Sequence, residues 1–344
     1  MRVAIVGCGA MGTVLGAYLT RSGQEVDLVD NYQAHVEAMN SAGAHVIGSV
    51  DLVVPVKAIT TEQMEGIYDI IFLLTKQTAN KEVLPVLLQH MSETSTICTL
   101  QNGVPEPAVA EYAGQKRTVG GTLLWGATFI GPGVSELTQD ISKSDHLFEI
   151  GEIDGTVGER IRQVAAILSG MGPVKITGSL MNSRWGKLVN NACMSGMSAA
   201  CGCTFAEVLD RPESLACLAY LGREVRQCCE AVGLELPILL GELSPEPLKF
   251  SDKEQFEVCK NMFLVMYDGL RPAKASMLQD LEKSKITEVD LINGFVCKTG
   301  KEKGIGTPFN DQVVEIVHKI EQKELPLSMD NVKYFDESLF EYGI

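Results

Sequence analysis

No stretch of this sequence approaches the ~18 consecutive apolar residues that a membrane-crossing helix needs. Met1-Arg2 runs straight into Val3-Ala4-Ile5-Val6, without a basic, apolar and small-residue leader. A soluble, cytoplasmic protein is expected. Positive charge is scarce as well: 29 Lys and Arg against 44 Asp and Glu leave a formal net charge of −15. That balance argues against nucleic acid and anionic membranes as partners, because both reward clustered cations. An anionic ligand would have to be held by a few local cations. The histidines, at positions 35, 45, 90, 146 and 318, are scattered, and neither Cys201-Gly202-Cys203 nor Cys228-Cys229 is followed by a second pair at ligand spacing. No metal site is therefore expected. Ten cysteines spread over 344 residues read as reduced thiols and not as a disulfide scaffold. What remains is an ordinary globular composition, 45% hydrophobic and 21% charged, with enough length for about two domains.

The first half alternates between short apolar runs and helical periodicity. Residues 3–6, 25–29, 70–74, 96–100 and 118–124 read as strands, and 11–21, 34–42 and 80–91 as helices. Such alternation implies right-handed crossovers and a mostly parallel, doubly wound sheet covered on both faces. Gly131-Pro132-Gly133 and the polar stretch 139–145 mark turns. Beyond the Gly- and Pro-containing segment 170–178, long amphipathic or apolar segments near 180–200, 213–232, 253–267 and 287–303 predict a helical domain. The expected division is 1–178 and 179–344. The aromatic and acidic tail 327–344 is expected to pack on its own domain or on a sister subunit.

Gly7-Cys8-Gly9-Ala10-Met11-Gly12 follows the first strand and opens the first helix, the context in which a GxGxxG pattern indicates dinucleotide binding. Gly7 suits the tight turn, Gly9 a close backbone approach to a pyrophosphate, and Gly12 helix–strand packing, with the helix N-terminus supplying amide donors. Asp30 ends the second strand 18 residues beyond Gly12. A carboxylate there accepts hydrogen bonds from the adenosine ribose and repels a 2′-phosphate, so NAD is favoured over NADP; Asp30 could instead serve only as a helix cap. Lys76 and Asn102 end the strands at 70–74 and 96–100, at the sheet edge where ligands sit in this architecture. Each could equally be a solvated charge or a turn residue. In the second half, Lys187 and Asn191 are one helical turn apart, with Ser195 a further turn along a segment too apolar to be exposed. A lysine there needs a partner or a purpose, unless it reaches solvent along its own stem.

Taken together, these motifs resemble the ketopantoate reductase (2-dehydropantoate 2-reductase) family over roughly residues 1–320. The most specific part is Ser276-Met277-Leu278-Gln279-Asp280, whose serine lies twelve residues before Glu288 in Thr287-Glu288-Val289-Asp290-Leu291-Ile292-Asn293-Gly294. The resemblance implies an N-terminal Rossmann-type sheet and a C-terminal all-helical domain with a cleft between them. It implies NAD(P)H-dependent reduction of a 2-oxo acid to the D-(R)-2-hydroxy acid by a homodimer, with NAD favoured through Asp30 and NADP as the alternative. Lys187 would be the proton donor, Asn102 would contact cofactor and substrate, and Asn191, Ser195 and Ser276 would bind substrate. Lys76, Ala127 and Glu288 would join the Gly7–Gly12 loop on the cofactor side.

The departures concern the substrate pocket. The family commonly carries asparagines at the positions of Ser195, Phe205 and Ala273, so a more apolar 2-oxo acid is expected, and an NAD-dependent D-2-hydroxyacid dehydrogenase of the same family is the close alternative. A 6-phosphogluconate-type dehydrogenase also pairs Lys with Asn one turn apart, but lacks the Ser276…Glu288 signature. A non-enzymatic dinucleotide sensor would need only the glycine loop, not Lys187, Asn191, Ser276 and Glu288 together.

Overall fold

Alternate residues of the first strand, β1 (Val3–Val6), enter different cores: Val3 and Ile5 join one apolar cluster, Ala4 and Val6 another. A strand buried on both faces has to read as an unbroken apolar run, and this one does. The computed structural model describes residues 1–344, which form two units, Met1–Leu180 and Met181–Ile344.

In the first unit β1 is joined by β2 (Val26–Val29), β5 (Lys57–Ile59), β6 (Ile70–Leu73), β7 (Thr96–Thr99), β8 (Thr118–Leu123), β11 (Phe148–Glu152) and β12 (Val174–Ile176). The sheet order is β12-β11-β8-β7-β6-β1-β2-β5, parallel throughout except for the β8–β11 pair. The five strands expected from the sequence form its contiguous centre, β8-β7-β6-β1-β2. A second sheet was not expected: β3 (Ala44–Gly48), β4 (Leu52–Val54), β9 (Ala127–Gly131) and β10 (Val134–Leu137), in the order β4-β3-β10-β9. Its strands are short, and its central pairing joins segments almost ninety residues apart, so little local periodicity betrays it. Helix α1 (Ala10–Arg21) packs on β1 and β2 and also on β3, β9 and β10. Its run Gly12–Leu19 is buried almost all round, and a Cβ on Gly16 would come within 2.7 Å of the Leu28 side chain. The remaining helices are α2 (Gln33–Ala42), α3 (Asn80–Leu88), α4 (Glu106–Ala113) and α5 (Glu159–Leu168).

Asp27 is the one charged residue in the β2 run. Its buried carboxylate accepts from Arg2 at 3.0 Å and Tyr68 at 2.7 Å, and pairs with Lys57 at 2.7 Å. Burial alone would raise its pKa, but these donors hold it below the usual carboxylate value.

The second unit is helical, and its only strand-like pairing is an isolated Leu239–Leu243 bridge. Its helices are α6 (Leu180–Asn190), α7 (Gly196–Ala200), α8 (Phe205–Asp210), α9 (Pro212–Ala231), α10 (Lys253–Tyr267), α11 (Ser276–Glu282), α12 (Val289–Lys303) and α13 (Pro308–Glu321). The segment expected as one helix near 180–200 is interrupted by a π-turn at Asn191–Ser195. Helices α10, α12 and α13 pack around α9. The C-terminal tail closes on the same unit. Phe340 packs edge-on against Phe309 at 5.2 Å, Phe309 stacks on Tyr220 at 4.6 Å, and the Tyr342 amide donates to the Tyr220 hydroxyl at 2.8 Å. No helix is long and apolar enough to cross a membrane.

Candidate active site

Of the three glycines of the 7–12 loop, the fold itself requires two. Gly7 has φ +92°, and a Cβ there would meet the Leu74 carbonyl carbon at 2.7 Å and the Thr75 amide. A Cβ on Gly12 would collide with the Gly7 carbonyl oxygen. Both positions are closed by the protein's own backbone. At Gly9 a Cβ would meet no atom within 4 Å, so nothing in the fold itself demands glycine there. The open space lies at the N-terminus of α1, whose first amides have no intrahelical acceptors, so the loop fits a pyrophosphate approaching the Gly9 backbone. Gly9→Ala should therefore leave the melting temperature within a few degrees while weakening dinucleotide affinity about tenfold or more, read by cofactor titration. Unchanged affinity would remove Gly9 from the binding loop.

Cys8 points inward. Its thiol donates to the Ile5 carbonyl at 3.1 Å, and burial, then the Asp30 charge, push its pKa well above the ordinary value. Its carbonyl accepts from Thr13 Oγ1 at 2.7 Å and from His35 Nε2 at 2.6 Å. The Gly133 amide donates to His35 Nδ1 at 2.8 Å, which leaves the ring proton on Nε2. His35 thus ties the glycine loop to the β9–β10 hairpin. Sequence reading saw only a scattered histidine there.

Asp30 follows β2 and is half-buried. Its Oδ1 accepts the Tyr32 amide at 2.9 Å, while α2 begins at Gln33 with Tyr32 as its N-cap and no side-chain cap. Asp30 therefore shapes a turn and does not cap the helix. Asn31 beside it accepts from Thr61 Oγ1 at 2.9 Å. Arg2 and Lys57, at the amino ends of β1 and β5 and so at the opposite edge of the sheet, are bound to Asp27.

Lys76 and Asn102 lie on adjacent loops stitched by two glutamines. Gln77 Nε2 donates to the Asn102 carbonyl at 2.5 Å, and Gln101 Nε2 donates to the Thr75 carbonyl at 2.9 Å and to Asn80 Oδ1 at 2.7 Å. Since Gly7 abuts Leu74 and Thr75, the carboxyl edge of the large sheet gathers the glycine loop, Lys76 and Asn102. Ala127 lies on another element, at the start of β9 in the small sheet, which packs on α1, the helix that the glycine loop opens.

In the helical unit Lys187 lies in the last turn of α6 and is half-buried. Burial, and then the Arg184 guanidinium one turn away, lower its pKa to about 8. Asn191 and Ser195 open and close the π-turn that follows. Helix α11, which Ser276 opens, and α12, whose N-cap is Glu288, both pack against this turn. Ser276 is exposed and Glu288 buried. Asn190 is committed elsewhere, its Oδ1 accepting from Tyr267 at 2.6 Å. Phe205 and Ala273 are neighbours: the Phe205 amide donates to the Ala273 carbonyl at 3.0 Å and the Phe205 ring packs edge-on against Tyr267 at 5.8 Å. No group of three or more His, Cys, Asp or Glu residues is placed to hold a metal.

A doubly wound sheet with a glycine loop at its carboxyl edge, followed by a helical unit with a lysine of lowered pKa, defines a dinucleotide-dependent oxidoreductase class. Residues 3–153 match the family model described as Ketopantoate reductase PanE/ApbA, and residues 179–321 match its C-terminal counterpart. The chain belongs to the ketopantoate reductase family, and it is an oxidoreductase acting on a CH–OH group. A 2-dehydropantoate 2-reductase of Streptococcus pyogenes is 27% identical over 327 residues, 92% of this chain and 97% of its own length. One from Archaeoglobus fulgidus is 28% identical over 322 residues, 93% of this chain and 98% of its own. Among solved structures, a 2-dehydropantoate 2-reductase from Geobacter metallireducens superposes with a TM-score of 0.77 at 26% identity, covering 93% of this chain and 99% of that one. A D-mandelate dehydrogenase with NADH and anilino(oxo)acetate shares the fold, with a TM-score of 0.79 at 24% identity over 94% of this chain and 99% of that one.

Proposed function

We propose that this protein reduces a 2-oxo acid to the D-(R)-2-hydroxy acid with NADH, Lys187 supplying the proton. The observation that carries the reading is Lys187 itself: an ammonium with its pKa lowered to about 8, one turn before Asn191. A bound nicotinamide supplies the hydride to the carbonyl carbon. Lys187 Nζ stabilises the negative charge developing on the carbonyl oxygen and then transfers its proton there, leaving a neutral amine and a hydroxy acid. The same positive charge attracts the substrate carboxylate, which answers how a chain of net charge −15 holds an anion. Asn191, Ser195 and Ser276 hydrogen-bond the carboxylate and keto oxygen; Asn102, Lys76, Ala127 and Glu288 serve the cofactor side with the 7–12 loop. The working assembly is a homodimer, tested by sedimentation.

The side-chain pocket favours an apolar substrate. Phe205 and Ala273 offer no hydrogen bond to a substrate hydroxyl, Ser195 is short, and the Asn190 acceptor is occupied by Tyr267. A pocket without polar groups gains little from that hydroxyl and accommodates branched or aromatic groups instead. In an assay of both cofactors against ketopantoate, 2-oxoisovalerate, other branched 2-oxo acids and phenylglyoxylate, the apolar substrates should show about tenfold higher kcat/KM than ketopantoate. If ketopantoate wins by an order of magnitude, the protein is a ketopantoate reductase in the strict sense. No turnover of any 2-oxo acid with either cofactor would overturn the function.

A further inference from the structure

The π-turn at Asn191–Ser195 is held by a buried polar chain whose donors and acceptors can be assigned from one end to the other. It starts at Glu224 on α9, a group that only accepts when ionised. Its carboxylate oxygens accept from the Phe309 amide at 2.9 Å, the Asn310 amide at 2.9 Å and Asn310 Nδ2 at 2.7 Å. That fixes Asn310 Oδ1 as the next acceptor, and Asn293 Nδ2 donates to it at 2.9 Å. The same Nδ2 donates its second hydrogen to the Ala192 carbonyl at 2.9 Å, inside the π-turn. Asn293 and Asn310 are fully buried.

The Ala192 carbonyl is where this bond matters. In an α-helix it would accept from the Gly196 amide four residues on. Here the Gly196 amide turns to the Asn191 carbonyl, five residues back, and to that of Cys193. Asn293 supplies a donor to the carbonyl that the Gly196 amide has left. Gly196 makes room for it, since a Cβ there would sit 3.0 Å from both Asn293 Nδ2 and Oδ1. Asn293 Oδ1 itself has no hydrogen-bond partner, a cost retained while both hydrogens of Nδ2 are used.

The turn changes which way side chains point. Ser195 is eight residues after Lys187 and would lie about 80° around an uninterrupted helix at 100° per residue. An i→i+5 turn spreads more residues over each revolution, roughly 80° apiece, which brings Ser195 back close to the direction of Lys187.

We infer that Asn293 is a positioning residue for substrate binding, holding the π-turn that aligns Asn191 and Ser195 with Lys187. The inference rests on the proposed substrate-facing roles of those three residues. Two variants test it. Asn293→Asp sets an oxygen against the Ala192 carbonyl, and Gly196→Ala presses on the Asn293 amide while improving helix propensity. For each, kcat, KM for the 2-oxo acid, cofactor affinity and hydrogen exchange across residues 191–197 are measured. The expected result is a 10- to 100-fold loss of kcat/KM, mostly in KM, the scale of a misplacement of about 1 Å. Cofactor affinity should change less than about twofold, and exchange should accelerate in 191–197 but not in α9. Adding Ser195→Ala to Asn293→Asp should cost less than the product of the single losses. If Asn293→Asp fails to fold, Gly196→Ala decides alone by the same readouts. Unchanged KM, or unchanged exchange in 191–197, overturns the inference. Wild-type protein inactive on every 2-oxo acid overturns the functional reading instead, and the exchange measurement still decides whether Asn293 holds the turn.

Discussion

Lys187→Ala is expected to lower kcat for 2-oxo acid reduction by ~10²–10⁴, the usual worth of a positioned general acid, with the fold and cofactor affinity intact. At 1.36 kcal/mol per decade this is about 3–5 kcal/mol of transition-state stabilisation. Lys187→Arg separates charge from proton transfer: guanidinium keeps the charge but does not give up its proton near neutrality, so KM should be largely restored while kcat stays low. The pH dependence has a definite sign. Reduction needs the ammonium, which a pKa of about 8 in the free protein leaves roughly 90% populated at pH 7 and roughly 10% at pH 9, so kcat/KM for reduction should fall through about pH 8. Oxidation of the hydroxy acid needs the neutral amine and should rise through the same interval. Near-normal turnover in folded Lys187→Ala, or a flat reduction profile between pH 7 and 9, would remove Lys187 as the acid.

A preference of about 100-fold for NADH over NADPH in kcat/KM is the expected consequence of Asp30. A 2′-phosphate carries close to two negative charges, and placing it beside a half-buried carboxylate combines repulsion with desolvation. Some 2.7 kcal/mol of such cost is a factor of 10². The residues beside it offer no relief: Asn31 and Thr61 are neutral, and Arg2 and Lys57 are held by Asp27 at the amino ends of the strands, away from Asp30. Replacing Asp30 by Ala should shrink the ratio mainly by improving NADPH, and Asp30→Ala with Asn31→Arg should invert it. Equal or better kcat/KM with NADPH in the wild type would show that another cation, such as Lys76, reaches the phosphate.

How much of this was legible in the chain varies with the range of the interactions. The central strands and α1 were readable because burial on both faces writes an apolar run, and because the 7–12 loop combines turn, phosphate approach and packing within six residues. Lys187 and Asn191 were readable as a pair one turn apart on an apolar segment, whereas Ser276 and Glu288 stood out only through the family resemblance. The small sheet was not, since its pairing of β10 with β3 is long-range and its strands are short. Nor was the role of His35, whose partners Cys8 and Gly133 lie 27 and 98 residues away. Asp30 was readable as an acid after a strand, but that it makes a turn and does not cap a helix is visible only in the bond to the Tyr32 amide.

The amino-acid sequence by itself determined the division into an alternating half and a helical half, the glycine loop, the acid after β2 and the spacing of Lys187 from Asn191. All of these depend on local periodicity or on fixed offsets along one chain. Only the tertiary structure decided that α1 lies between two sheets, that Phe205 and Ala273 are neighbours, and that the helix after Lys187 slips into a π-turn. The reason is physical. A π-turn is a poor local choice, and it persists where something distant satisfies a carbonyl that the helix has released. Here that group is Asn293, 101 residues further along, itself oriented by Asn310 and Glu224.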